Sequence, residues 1–116
     1  MPNRFVILHH VLRDGEHWDL MLEDGEVLLT WQLVQEPTGA ESLPIPARRI
    51  SDHRKVYLDY EGPLSGDRGY VERFDRGPLT IIHRSDGYYV VELAGDRLTG
   101  RFALRQAEAG WVMERA

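Results

Sequence analysis

The chain has 116 residues, with 14 Lys+Arg against 19 Asp+Glu for a formal charge of −5, 42% hydrophobic and 28% charged residues, and no cysteine. That size and balance belong to one soluble globular domain with a single core; they exclude a disordered tail, a disulfide scaffold, an iron–sulfur site and a thiolate zinc knot. Any metal must be held by nitrogen and oxygen, and the negative charge argues against a broad basic face that coats nucleic acid, though not against recognition of one phosphate.

In chain order, the first ten residues carry one arginine and a short apolar run, Phe5 to Leu8, before the pair His9-His10. This is too short for a signal-peptide core or a membrane span, so cytoplasmic residence and no membrane partner are expected. Trp18 to Leu22 alternates with period two, Asp24-Gly25 marks a tight turn, and Val27 to Leu33 returns as a second strand, which predicts a hairpin. Glu36 to Pro46 holds three of the six prolines and Gly39 and reads as an irregular loop. Arg48, Arg49, Arg54 and Lys55 follow, four of the 14 basic residues within eight positions, and read either as a solvated charged loop or as a phosphate grip. Thirteen of the 14 are arginine, whose planar fork pairs with phosphate in two-pronged fashion.

Further strands are predicted at Val56 to Tyr60, Tyr70 to Phe74, Leu79 to His83, Tyr88 to Leu93 and Gly100 to Leu104. Their breakers are Gly62-Pro63, Gly66, Gly77-Pro78, Asp86-Gly87 and Gly95-Asp96. Trp111 to Glu114 reads as a stretch pairing at a sheet edge. Short strands at this spacing, without a long helical period, predict an antiparallel barrel or sandwich in one domain spanning residues 1–116.

Four of the five histidines lie in two segments. His9, His10, His17 and Asp19 occupy eleven residues, and His53 follows Asp52 beside the arginine cluster. On a strand, His17 and Asp19 point the same way and Trp18 the opposite way. An imidazole and a carboxylate on one face hold two positions of a divalent ion, and His10, at the end of the first strand, is the natural third ligand. His-x-Asp also occurs as an ordinary surface pair. His83 reads as a strand-end residue; Asp59, Glu61 and Asp75 as turn or strand-edge groups; Trp31, Tyr57, Tyr60 and Phe74 as core.

The run FVILHHVLRDGEHWDLMLEDGEVLLTW, Phe5 to Trp31, resembles the opening of the 3′-phosphoesterase module of bacterial DNA ligase D. There a strand ending in histidine leads to His-Tyr-Asp-Leu-Arg-Leu-Glu and then to a Lys-Ser-Trp strand. SDHRKVYLDYEG, Ser51 to Gly62, resembles the family's Glu-Asp-His-Pro-x-x-Tyr-x-x-Phe-Glu-Gly segment. RFDRG, Arg73 to Gly77, resembles its Trp-Asp-x-Gly turn, and VELAGDRLTGRFALRQ, Val91 to Gln106, its closing hairpin.

The resemblance implies an all-β, antiparallel barrel of about eight short strands with little helix. It implies an enzyme that trims 3′ ends of DNA, removing a terminal ribonucleoside and then the 3′-phosphate, with Mn²⁺ as the expected metal and Zn²⁺ as another that suits the ligands. It assigns His10, His17 and Asp19 to the metal and His53 and Tyr57 to the phosphate. The family's N-terminal arm and its polymerase and ligase modules have no counterpart here, so a stand-alone barrel is expected, acting on DNA 3′ ends or a small phosphoester, with separate ligase or polymerase repair proteins as partners.

Two departures stand out. The family places an arginine two residues after the metal aspartate; here the position is Met21, which has no donor. Its loss costs about 3 kcal/mol of transition-state stabilisation, a hundredfold in rate, unless Arg49, Arg54 or Arg13 substitutes from a loop. Without a substitute, the alternative is a metal- and phosphate-binding module that recognises DNA ends or another phosphorylated ligand. The second departure is six residues between His10 and His17 where the family has five; with Asp14-Gly15 in the gap, both His9 and His10 stand as candidates for the first ligand.

Overall fold

A computed structural model describes residues 3–38 and 43–116. The middle of the expected Glu36–Pro46 loop, residues 39–42, lies outside the described residues. The strands are β1 (Asn3–Leu12), β2 (Gly15–Asp24), β3 (Val27–Leu33), β4 (Ile45–Arg54), β5 (Gly62–Pro63), β6 (Tyr70–Ser85), β7 (Tyr88–Ala94), β8 (Thr99–Ala107) and β9 (Gly110–Arg115). All pair antiparallel in the order β1-β2-β3-β4-β9-β8-β7-β6, and β6 pairs back onto β1, closing an eight-stranded barrel. The two-residue β5 adds to β6 outside the ring. Among the described residues the one helical element is a 3-10 turn, Lys55–Leu58, and no helix is long and apolar enough to cross a membrane.

Local chemistry sets the turns. Four hairpins close with two-residue loops, since Leu12 faces Gly15, Asp24 faces Val27, Ser85 faces Tyr88 and Ala107 faces Gly110. Gly25 (φ 60°) and Gly87 (φ 77°) supply the left-handed conformation that matches the twist of the flanking strands.

Alternation then sorts side chains to two sides of the wall. Phe5, Ile7, Trp18, Leu20, Leu22, Leu29, Trp31, Leu33 and Leu93 fill the barrel with residues from β4, β8 and β9. The intervening Val6, Leu8, Met21 and Leu28 point outward and form a second apolar cluster with Leu58 and Val71, with Tyr57, Tyr60 and Leu64 packed against it. The segment between β4 and β6 therefore crosses the outside of β1, β2 and β3 as a cover.

Several expectations are corrected. Residues 45–54 form strand β4, not a charged loop. Its inward positions are Ile45, Ala47 and Arg49, and the arginine hides the apolar alternation. Val56 to Tyr60 is not a strand: Leu58 turns down into the outer cluster, and the Asp59 N–H donates to the Val56 carbonyl. Tyr70–Phe74 and Leu79–His83 are one strand, β6. Gly77-Pro78 lies where its partner changes: Arg4 of β1 lies opposite Pro78, and the ladder to β7 begins at Leu79. A proline that cannot donate is tolerated there, and a Cβ on Gly77 would collide with the Ala94 carbonyl oxygen. Trp111 to Glu114 belongs to β9, which lies between β8 and β4 and not at an edge.

Asp75 ties the β7–β8 turn to the barrel. It is buried, its Oδ1 accepts from the N–H groups of Arg76, Asp96 and Arg97 (2.9, 2.8 and 3.2 Å), and its Oδ2 accepts from that of Leu98 (2.8 Å). A Cβ at Gly95 would strike this carboxylate.

Candidate metal centre

The tight Arg13-Asp14 turn determines which histidine meets which. With a two-residue loop, His10 stands directly opposite His17 and His9 directly opposite Trp18. His9 and Trp18 point toward the barrel interior and stack, with ring centroids 4.7 Å apart and planes within 4°, while His9 Nε2 lies 2.5 Å from Glu16 Oε1. His10 points outward with His17 and, diagonally across the ladder, with Asp19. In this chain the two-residue turn thus sets both imidazoles on one face.

Ligand atoms of His10, His17 and Asp19 lie within 4.8 Å of one another. His10 Nδ1 is 3.0 Å from His17 Nε2 and 3.6 Å from Asp19 Oδ2, and His17 Nε2 is 3.2 Å from Asp19 Oδ1. His10 Nε2 donates to the Arg68 carbonyl at 2.8 Å. That bond leaves the Nδ1 lone pair facing His17, the outer-shell orientation found for metal-ligating histidines. Two imidazole nitrogens at 3.0 Å require a proton or a cation between them.

Asp19 is only 3% exposed, and its Oδ1 is buried without a hydrogen-bond partner. A buried carboxylate oxygen that makes no hydrogen bond, with only the His17 nitrogen at 3.2 Å beside it, is costly unless a cation sits against it. Two nitrogens and one oxygen with an open side suit a divalent ion such as Mn²⁺ or Zn²⁺, so the residues fit the group. Electrostatics follow the same geometry. Asp19 raises the pKa of His10 above its ordinary value, against the opposing effect of burial and with help from the Arg68 carbonyl. Burial pushes the Asp19 carboxyl up, but the interactions with His10 and His17 outweigh it and leave the group below the usual range.

The other candidates occupy different ground. His53 faces Leu28, which faces Glu23, four residues along β2 from Asp19 and about 13 Å at the rise of a strand. Its Nδ1 donates to the Ser51 carbonyl (3.0 Å), leaving Nε2 available, and its ring lies 5.7 Å from that of Tyr57. Arg54 lies beside this pair, its guanidinium carbon 6.0 Å from the Tyr57 ring centroid. His53, Tyr57 and Arg54 thus form a second group apart from the metal ligands. Arg13 pairs with Asp67 at the turn beside His17.

Arg49 points the other way. Opposite Trp31, it stacks within the barrel mouth, its guanidinium carbon 4.4 Å from the Trp31 ring and 5.8 Å from that of Tyr89, and it pairs with Asp52 (3.6 Å). Arg49 thus lies apart from the outer face that carries His10, His17 and Asp19. Its neighbour Arg48 stands on the outer face, in one cross-strand row with Gln32 and Asp19. At the usual strand spacing that is about 10 Å from Asp19, a gap that an arginine side chain and a phosphate group together span. Gln32 Nε2 lies between them, 3.4 Å from His17 Nε2. Only the register of β4 distinguishes Arg48 from Arg49, and that strand was hidden in the sequence. Met21 is 1% exposed beneath the outer cluster and contributes packing in place of a donor.

Residues 8–106 match the family model described as the DNA Ligase D 3'-phosphoesterase domain. The chain is 31% identical over 121 residues to the multifunctional non-homologous end joining protein LigD of Mycobacterium bovis. The multifunctional non-homologous end joining DNA repair protein LigD of Mycobacterium tuberculosis gives the same identity. These alignments take in 97% of this chain and 16% of each relative, so the chain spans about a sixth of their length.

Proposed function

Because the chain belongs to the DNA ligase D 3'-phosphoesterase domain family, we propose that it is a metal-dependent phosphoesterase acting on 3′ ends of DNA in repair. It removes a 3′-terminal ribonucleoside and a 3′-phosphate. The observation that carries this reading is the outer-face group of His10, His17 and Asp19, with one buried carboxylate oxygen left for a cation.

Those three residues would hold the ion, Mn²⁺ in preference to Zn²⁺. When bound, it supplies Lewis-acid polarisation of a phosphoryl oxygen and acidifies a water near neutral pH. The Arg68 carbonyl fixes the His10 tautomer, so that Nδ1 stays directed into the group. Arg48, in the row of Asp19, supplies the phosphate grip that Met21 lacks, and Gln32 adds an amide donor beside His17. His53, with Nδ1 committed to the Ser51 carbonyl, presents Nε2 to a phosphate of the bound strand, about 13 Å or more from the metal ligands. Tyr57 donates a hydrogen bond beside it. Ligase and polymerase activities are its partners in repair.

The burial of Met21 favours one second reading, a metal- and phosphate-binding module of weakened catalysis. Incubation with Mn²⁺ and a duplex primer ending in a 3′-phosphate or a single ribonucleotide separates the two. Trimming by the native chain supports the enzyme. Trimming only after Met21→Arg supports the module.

A further inference from the structure

Arg54 and the covering segment after it form an open-sided cavity of about 320 Å³, lined in part by Arg54, Val56, Tyr57, Tyr60, Leu64 and Arg68. That is the small end of the range for ligand pockets. The metal centre does not use it, yet the cavity reaches both groups of functional candidates. At one end the Arg68 carbonyl accepts from His10, and at the other the Tyr57 ring meets that of His53.

Its lining is unlike the rest of the surface. In a chain of formal charge −5, the charged residues lining this cavity are two arginines, with no carboxylate. Arg68 is held in place, its Nε donating to the Ser65 carbonyl (2.7 Å) and its Nη2 to Ser65 Oγ (3.0 Å). Tyr60 donates its hydroxyl proton to the Pro63 carbonyl, which fixes a ring packed edge-on to Tyr57 at 5.9 Å. Val56, 56% exposed, leaves an apolar side chain open beside them.

An apolar wall between two cations, Arg68 held by Ser65 and Arg54 beside the Tyr57 ring, matches one kind of ligand, a base carrying phosphates. The base stacks on aromatic and aliphatic groups regardless of sequence, and the guanidinium groups take the anionic oxygens. A wholly apolar ligand would leave both arginines unmatched.

We propose that this cavity is a nucleotide subsite. It takes the terminal nucleotide of an unpaired 3′ end, with the base against Tyr60 and Val56 and the phosphates on Arg54 and Arg68, and so delivers the end to the metal centre. The subsite rests on the phosphoesterase reading for the chemistry after binding, but not for the binding itself.

The test uses the whole chain and two probes, a fluorescein-labelled single-stranded oligonucleotide with a 3′-phosphate and the small ester 4-nitrophenyl phosphate. Val56→Glu puts a carboxylate beside the arginines at an exposed position where folding is not at stake, and Tyr60→Ala removes the stacking wall. Both variants are expected to weaken oligonucleotide binding, read by fluorescence anisotropy without metal, and to raise its KM with Mn²⁺ by about tenfold. Turnover of 4-nitrophenyl phosphate should stay within about twofold of native. Equal loss on both substrates, or no change with Val56→Glu, overturns the subsite. Hydrolysis of the small ester by a native chain that does not bind the oligonucleotide also overturns it and leaves the phosphoesterase reading standing. Oligonucleotide binding that Val56→Glu abolishes, in a chain inert toward both substrates, does the reverse.

Discussion

Asp19 lies beneath two imidazoles with one oxygen that makes no hydrogen bond, an arrangement that gains little in a metal-free fold and much when a cation is present. Removing it, or His17, should therefore cost metal and leave the barrel intact. In His17→Ala and Asp19→Ala, calorimetric titration with Mn²⁺ should give no binding, with stability changed by about 1 kcal/mol or less, because both histidines keep partial exposure. Unchanged titration in both variants would contradict the ligand set. The pH dependence has a defined sign. His10 holds its proton above its ordinary value because Asp19 lies beside it, so in the metal-free protein its ion pair contributes stability below the unfolded pKa, and that contribution fades as pH rises through the folded one. Metal requires the neutral ring. Affinity for Mn²⁺ should accordingly fall as pH drops below neutrality, about tenfold per unit for each proton displaced, while Asp19, held below the usual carboxylate range, stays ionised throughout. Affinity independent of pH between about 5.5 and 7.5 would contradict this. Much of this centre was legible in the sequence, because the alternation of strand side chains places His17 and Asp19 together without any knowledge of the fold. The choice between His9 and His10 was not, since it depends on a two-residue turn that pairs His10 with His17 and sends His9 to stack on Trp18.

Among the elements, β4 matters most for function and was the least legible. Its alternation runs Ile45, Ala47, Arg49, and a cation at the third inward position conceals the period; only the aromatic mouth formed by Trp31 and Tyr89 makes an inward arginine stable. Arg48 and Arg49 should consequently fail in different ways. Arg48→Ala is expected to lower phosphoesterase turnover by about a hundredfold, with Mn²⁺ binding kept. Arg49→Ala should cost about 1–2 kcal/mol of stability through lost stacking and packing, with little change in turnover per folded molecule. The reverse pattern in kinetics and thermal melting would show that the two faces are wrongly assigned. The β7–β8 turn offers a purely structural test. Asp75→Ala strands four backbone N–H groups and should destabilise by about 3 kcal/mol, near 10 °C in Tm. A Tm within about 2 °C of native would mean that water replaces the carboxylate. The Arg73 to Gly77 segment was legible as a turn signal, but its place inside one long strand was not, because the change of partner from β1 to β7 is a long-range event.

At the scale of the molecule, closure of β6 onto β1 removes the open edges of the ring and turns the wall outward as the working surface. The barrel interior is filled by side chains, which leaves the outer face for chemistry, and the segment between β4 and β6 covers part of that face over β1, β2 and β3. Antiparallel strands and closure were legible from the spacing of turns and the family likeness; which side of the wall carried the site was not. The charge of −5 fits the proposed function, in which two or three arginines meet one strand end. The salt dependence of oligonucleotide binding should thus be shallow, with a log–log slope between about −1 and −2, against about −5 for a protein that neutralises six phosphates. The decisive measurement remains the reaction itself. Pure protein shown to bind Mn²⁺ is incubated with a duplex primer bearing a 3′-phosphate or a single 3′-ribonucleotide, and the ends are resolved by gel. Metal-dependent conversion of both primers to a 3′-hydroxyl end is expected, lost in His17→Ala and Asp19→Ala; metal-loaded native protein that leaves both ends untouched would contradict the phosphoesterase assignment.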